Sequence, residues 1–188
     1  MINPLADLAE IAESQIGHHE DGDSNTGSQI VAYQKATKLG APASVRDGYP
    51  WCCAFVVWCI EQFLKTHPGV LSFPPSLRPT MASVAEFVSW AKETNQYIFY
   101  KKDVPQPVEL QAGDIVAFQF PTGHHIGIVT GRTFSGPQQL GFPTVEGNTS
   151  GPRNADGSQR DGGEVAAKMR GFLNVVAFIR LSVEAQAA

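Results

Sequence analysis

Cysteine is scarce and unevenly placed in this chain of 188 residues: there are three in all, Cys52, Cys53 and Cys59, within eight positions. An odd number in one short segment is no disulfide framework, and the spacing lacks the separated pairs of a structural zinc site. Charge is also sparse, at 17%, and 14 Lys and Arg against 18 Asp and Glu leave a net −4. That balance excludes a broad basic surface and argues against a nucleic-acid partner. No apolar run approaches the ~20 residues that cross a bilayer. The opening Met1-Ile2-Asn3-Pro4-Leu5-Ala6-Asp7 lacks the charged n-region and long apolar h-region of a signal peptide, so synthesis in the cytoplasm without such a leader is expected. Internal repeats and low-complexity tracts are missing too.

Hydrophobic residues supply 43% of the chain. A globular protein of this length buries about 70% of its unfolded surface, enough for a core without staples. One domain over residues 1–188 is expected, with 18 glycines and 13 prolines marking many loops. Helical spacing of apolar residues predicts helices over 4–16, opened by Asn3 as cap and Pro4 as first residue, and over 28–38, 51–65 and 80–92, the last capped by Thr80 or Ser83. The third is apolar on more than one face and should be buried centrally. From residue 97 the period changes to that of strands, over 97–100, 114–120, 125–130, 144–146 and 175–181, with a long polar loop at 149–163. A helical part at about 4–92 followed by an antiparallel sheet at about 97–181 makes the fold class α+β.

Three segments carry candidate chemistry. Cys52 falls in the first turn of the third helix, where the positive end of the helix dipole favours a thiolate and free backbone N–H groups can form an oxyanion hole. The other reading makes all three cysteines small buried hydrophobes. Strand alternation sets His125, Gly127 and Val129 on one face, and the glycine leaves room beside the imidazole, as a general base requires; a structural strand histidine is the alternative. Val145-Glu146-Gly147-Asn148 reads as a strand end with Glu146 and Asn148 on one face. A carboxylate or amide there can fix the histidine's tautomer, the third role in a nucleophile–base–orienter set; otherwise these are strand-end and turn polar residues.

Pro50-Trp51-Cys52-Cys53-Ala54-Phe55-Val56, Gly113-Asp114-Ile115-Val116, His125-Ile126-Gly127-Ile128-Val129 and Val145-Glu146-Gly147-Asn148, in that order, resemble the CHAP family of papain-like cysteine amidohydrolases and peptidases, relatives of the NlpC/P60 enzymes. Ile16-Gly17, Glu20 and the stretch from Asn25 to Tyr33 are similar to the lead-in of such domains. The resemblance implies a papain-like α+β fold with N-terminal helices packed on an antiparallel sheet. It implies Cys52 as nucleophile, His125 as base, Glu146 as its orienter and Asn148 as an assisting hydrogen-bonding group. Trp51 and Tyr49 are the residues expected to meet substrate. Cys53 departs from the pattern, where a small residue such as alanine is more usual. The implied reaction is amide hydrolysis through a thioester, and the family's usual substrate is peptidoglycan, cut as an N-acetylmuramoyl-L-alanine amidase or as a stem or cross-bridge endopeptidase. The loops 41–49, 71–79 and 149–163 would choose the bond.

No cofactor is expected. Asp21, Asp23 and Asn25 alternate like calcium ligands, but Thr26 and Ala32 stand where a full calcium loop needs Gly and Glu; zinc at His18-His19-Glu20 has less support still. Two other functions stay open: a thiol amidase or deamidase acting on a non-wall substrate, and an inactive papain-like binding module. A chain of this kind suits an antibacterial effector or a phage endolysin, acting in the periplasm or at the wall of a target bacterium. For an effector, a cognate immunity protein covering Cys52 is expected; a monomer is the default.

Overall fold

Apolar residues at helical spacing gather the first half of the chain into four α-helices in the computed structural model, which describes residues 3–22, 24–44, 48–99, 109–131, 133–134, 141–150 and 162–184. They are α1 (Ala6–Glu13), α2 (Ser28–Lys35), α3 (Cys52–Thr66) and α4 (Val84–Glu93), with a 3-10 turn at Pro75–Leu77 before α4. Ser83 caps α4, its Oγ accepting from the Glu86 backbone N–H at 3.4 Å. The Asn3 cap expected for α1 falls earlier than the helix. Asn3 Oδ1 accepts from the Leu5 N–H and its backbone carbonyl from the Ala6 N–H, both at 3.1 Å, so it closes a turn that precedes Ala6.

Eight strands follow: β1 (Tyr97–Phe99), β2 (Glu109–Leu110), β3 (Ile115–Phe120), β4 (Gly123–Val129), β5 (Thr133–Phe134), β6 (Phe142–Thr149), β7 (Glu164–Arg170) and β8 (Val175–Arg180). Six form one antiparallel sheet in the order β1-β8-β3-β4-β6-β7, and β2 pairs with β5. The expected α+β class is what the structure has. Two strand expectations change. The strand at 144–146 is the middle of the longer β6, and β7 was not expected at all. Glu164-Val165-Ala166-Ala167-Lys168-Met169-Arg170 is built mostly from good helix formers, yet six of the seven residues pair along β6 instead. The expected loop at 149–163 falls largely on residues 151–161, outside those described, as does Tyr100.

Helix α3 lies at the centre, as its all-round hydrophobicity predicts. Phe55, Val56, Ile60 and Phe63 have no exposed surface, and each fully buried side chain of this size contributes roughly 1.5–3 kcal/mol. They join Ile115, Ile126, Ile128, Val145 and Ile179 of the sheet in the main core. A second, aromatic-rich cluster around Phe118, Phe142 and Phe178 sits apart from it. The Gly113-Asp114 corner ties the sheet together. Buried Asp114 accepts a forked ion pair from Arg180 at 2.7 and 2.8 Å and the Gln111 N–H at 2.8 Å.

Candidate active site

Helix α3 begins at Cys52. Cys52 is 6% exposed, and all three cysteines are free. Cys53 and Cys59 have no exposed surface, and burial pushes both thiols well above their ordinary range. Cys53 Sγ is turned to the Met81 carbonyl, 3.5 Å away. The two adjacent cysteines therefore occupy different environments, one at the edge of the core and one within it.

His125, on β4, joins the elements. Its ring is hydrogen-bonded through Nε2 to Glu146 Oε2 at 2.9 Å, and the Cys52 side chain acts on the same ring. Burial alone would lower the imidazole's pKa, but the bonds to Cys52 and Glu146 outweigh it and raise it to about 9. Glu146, on β6, has no exposed surface. Burial pushes its carboxyl up, yet hydrogen bonds from Arg170 and His125 bring it down to about 2. The three residues thus form a line in which a buried carboxylate holds an imidazolium beside a thiol, an arrangement able to ionise a nucleophile and to return its proton.

Two glycines make the line possible. A Cβ on Gly127 would stand 2.6 Å from Glu146 Cγ, and one on Gly147 would stand 2.7 Å from both Phe55 Cβ and Trp51 Cζ3. The space beside the imidazole that Gly127 was expected to leave open is therefore filled by the Glu146 side chain. Gly147 lets β6 approach the start of α3. The pairing register of β6 shifts between Glu146 and Thr149, and Asn148 adopts a left-handed φ of 52°. That break ends the simple alternation expected to put Glu146 and Asn148 on one face. Asn148 still lines a cleft of about 320 Å³ together with Phe120, His124, His125, Ser150 and Arg170.

Trp51 stands elsewhere than expected. It is fully buried, stacked on Tyr33 at 5.6 Å, and its Nε1–H donates to Glu20 Oε1 at 2.8 Å. It has no surface to offer a substrate and instead fixes the start of α3. Tyr49 is half-buried, its hydroxyl donating to the Gly40 carbonyl at 2.9 Å. Neither is among the described residues lining the cleft beside His125. Three contributors escaped the sequence reading: Glu20 behind Trp51, Thr144, whose hydroxyl donates to Glu146 Oε1 at 2.6 Å, and Arg170. Of these, only Glu20 stood within a segment similar to the family.

Of the calcium candidates, Asp23 lies outside the described residues. Asp21 and Asn25 belong to a turn closed by its own bonds: the Asp21 N–H donates to the Thr26 carbonyl at 2.9 Å and the Asn25 N–H to Glu20 Oε2 at 2.8 Å. Among the described residues, no group of three or more His, Cys, Asp or Glu is placed to hold a metal, and no helix is long and apolar enough to cross a membrane.

A family model of the CHAP domain matches residues 44–148, more than half of the chain and the stretch from before Cys52 to Asn148. The chain belongs to the CHAP family. No curated protein matches it. Among solved structures, the wild-type endolysin LysIME-EF1 aligns over 98% of this CHAP chain and 67% of its own, with 16% identity and a TM-score of 0.43. The matched region of the CHAP protein ends before β7, so Arg170 lies beyond it.

Proposed function

We propose that the protein is a peptidoglycan hydrolase that cleaves an amide bond with Cys52, His125 and Glu146. The observation that carries this reading is His125, hydrogen-bonded at 2.9 Å to a buried, ionised carboxylate while the Cys52 side chain acts on the same ring. In the proposed cycle the Cys52 thiolate attacks the amide carbonyl, and backbone N–H groups at the start of α3 receive the developing oxyanion. His125 gives its proton to the leaving amine, and a thioester remains. Water, deprotonated by His125, then attacks the thioester; the acid leaves and the thiol is restored. Glu146 keeps the imidazole oriented and offsets its charge. Asn148, on the cleft beside His125, is the assisting hydrogen-bonding group.

The bond cut is either the lactyl–L-alanine amide or a peptide bond of the stem or cross-bridge. Its place of action is the wall or periplasm of a target bacterium, as an effector with a cognate immunity protein or as an endolysin. Mass spectrometry of purified peptidoglycan digested by the protein tests the reading. A new L-alanine N-terminus with a free lactyl carboxylate marks an amidase, and a new end within the peptide marks an endopeptidase. Folded protein that releases nothing from several wall types contradicts the wall assignment and favours a non-wall amide or a binding role.

A further inference from the structure

The Glu146 carboxylate has more partners than the aiming of one imidazole requires. Arg170 Nε donates to Oε1 at 2.7 Å, and a second guanidinium nitrogen donates to Oε2, so the contact is a fork. Arg170 sits on β7, 24 positions along the chain, at the register point opposite Phe142. Its guanidinium lies 5.7 and 5.5 Å from the ring centres of Phe118 and Phe120. Aromatic faces on one side and a carboxylate on the other fix a planar cation in a way a lysine cannot match. The chemistry calls for such a group. A carboxyl with no exposed surface, left without a cation, takes up a proton rather than stay charged, and a protonated Glu146 no longer balances an imidazolium.

We propose that Arg170 is a positioning residue: its fork keeps Glu146 ionised and turned toward His125, so that β7 completes the catalytic line from outside the segment that holds its other members. The inference rests on the functional reading above. Among the described residues, the charged and titratable groups around Glu146 are His125 on β4, Cys52 on α3 beyond it, and Arg170 and Lys168 on β7. Lys168 is a weaker substitute for the fork, since its Nζ is hydrogen-bonded to Ser150.

The test compares full-length wild type, Arg170→Met and Arg170→Lys by kcat and KM on soluble peptidoglycan fragments across pH, and by carbon NMR titration of the Glu146 carboxyl. In Arg170→Met the acid limb of kcat should move up by about one to three pH units, the span over which a neighbouring cation holds a carboxyl down, with KM little changed. Arg170→Lys should recover part of that loss. A folded Arg170→Met whose pH profile matches wild type overturns the inference. Should the methionine variant fail to fold, the lysine variant decides: lowered kcat at unchanged KM supports the role, and wild-type kcat overturns it. Should wild type itself hydrolyse no peptidoglycan, the functional reading fails separately. The carboxyl titration then stands alone, with a raised Glu146 midpoint in Arg170→Met upholding Arg170's hold and a wild-type midpoint overturning it.

Discussion

His125 sets the pH behaviour at the residue scale, because its two hydrogen bonds favour the charged ring. Burial works against the charge, but Cys52 and Glu146 together raise the imidazole from its ordinary 6.5 to about 9. The sign follows from the direction: the ring stays protonated through neutrality and loses its proton only as pH rises through about 9. In the proposed cycle the leaving amine then has no proton donor. The expected kcat/KM profile is therefore sustained through neutrality and falls near pH 9; a decline already complete by pH 7 would contradict the pairing. The residues on this line were legible in the sequence because each sits in a segment with a short-range reason for its place: a helix start, a strand beside a glycine, a strand end. Arg170 was not, since its role depends on which strand lies beside β6, and nothing within Glu164–Arg170 announces that neighbour. Trp51 was legible as important but misread in kind. A tryptophan next to a candidate nucleophile suits a substrate wall and a buried brace equally, and only the Glu20 and Tyr33 contacts decide for the brace.

At the scale of elements, the site exists because β6 comes close to α3. Gly147 is the contact point, and a methyl group there would overlap Phe55 and Trp51 at 2.7 Å. Since the neighbours are a fully buried ring and an indole pinned to Glu20, they have little room to give. Gly147→Ala is expected to cost roughly 1–3 kcal/mol in stability, the usual penalty of overpacking, and to lower kcat by moving Glu146 relative to Cys52. Denaturant unfolding and turnover measured on the same preparation check it; a variant unchanged in both would show that the approach is looser than described. The four helices were readable from apolar spacing to within a few residues at their ends, with Ser83 the cap found at α4. Strands were readable where β-branched and aromatic residues dominate, as in β3 and β8. β7 was lost because its composition favours a helix and its pairing with β6 overrides that preference.

Among the described residues, two forked Arg–carboxylate pairs recur: Arg170–Glu146 at the site and Arg180–Asp114 at the corner that leads into β3. Burial raises the Asp114 carboxyl despite Arg180, so the aspartate is the partner least able to stand alone. Arg180 is part-exposed and also lies over Phe99 at 5.1 Å. Arg180→Met is thus expected to destabilise by about 3–5 kcal/mol at neutral pH, the cost of an uncompensated buried charge, and Asp114→Asn by less. Chemical denaturation of the two variants gives the order, and the reverse order would mean that Asp114 is not the dependent partner.

In the proposed reaction Cys52, and not its neighbour Cys53, attacks the wall amide. Fragment release from purified peptidoglycan by wild type, Cys52→Ala and Cys53→Ala tests it most directly. Release is expected from wild type and Cys53→Ala and none from Cys52→Ala, with all three folded alike by circular dichroism. Release by Cys52→Ala, or its loss in a folded Cys53→Ala alone, would contradict it.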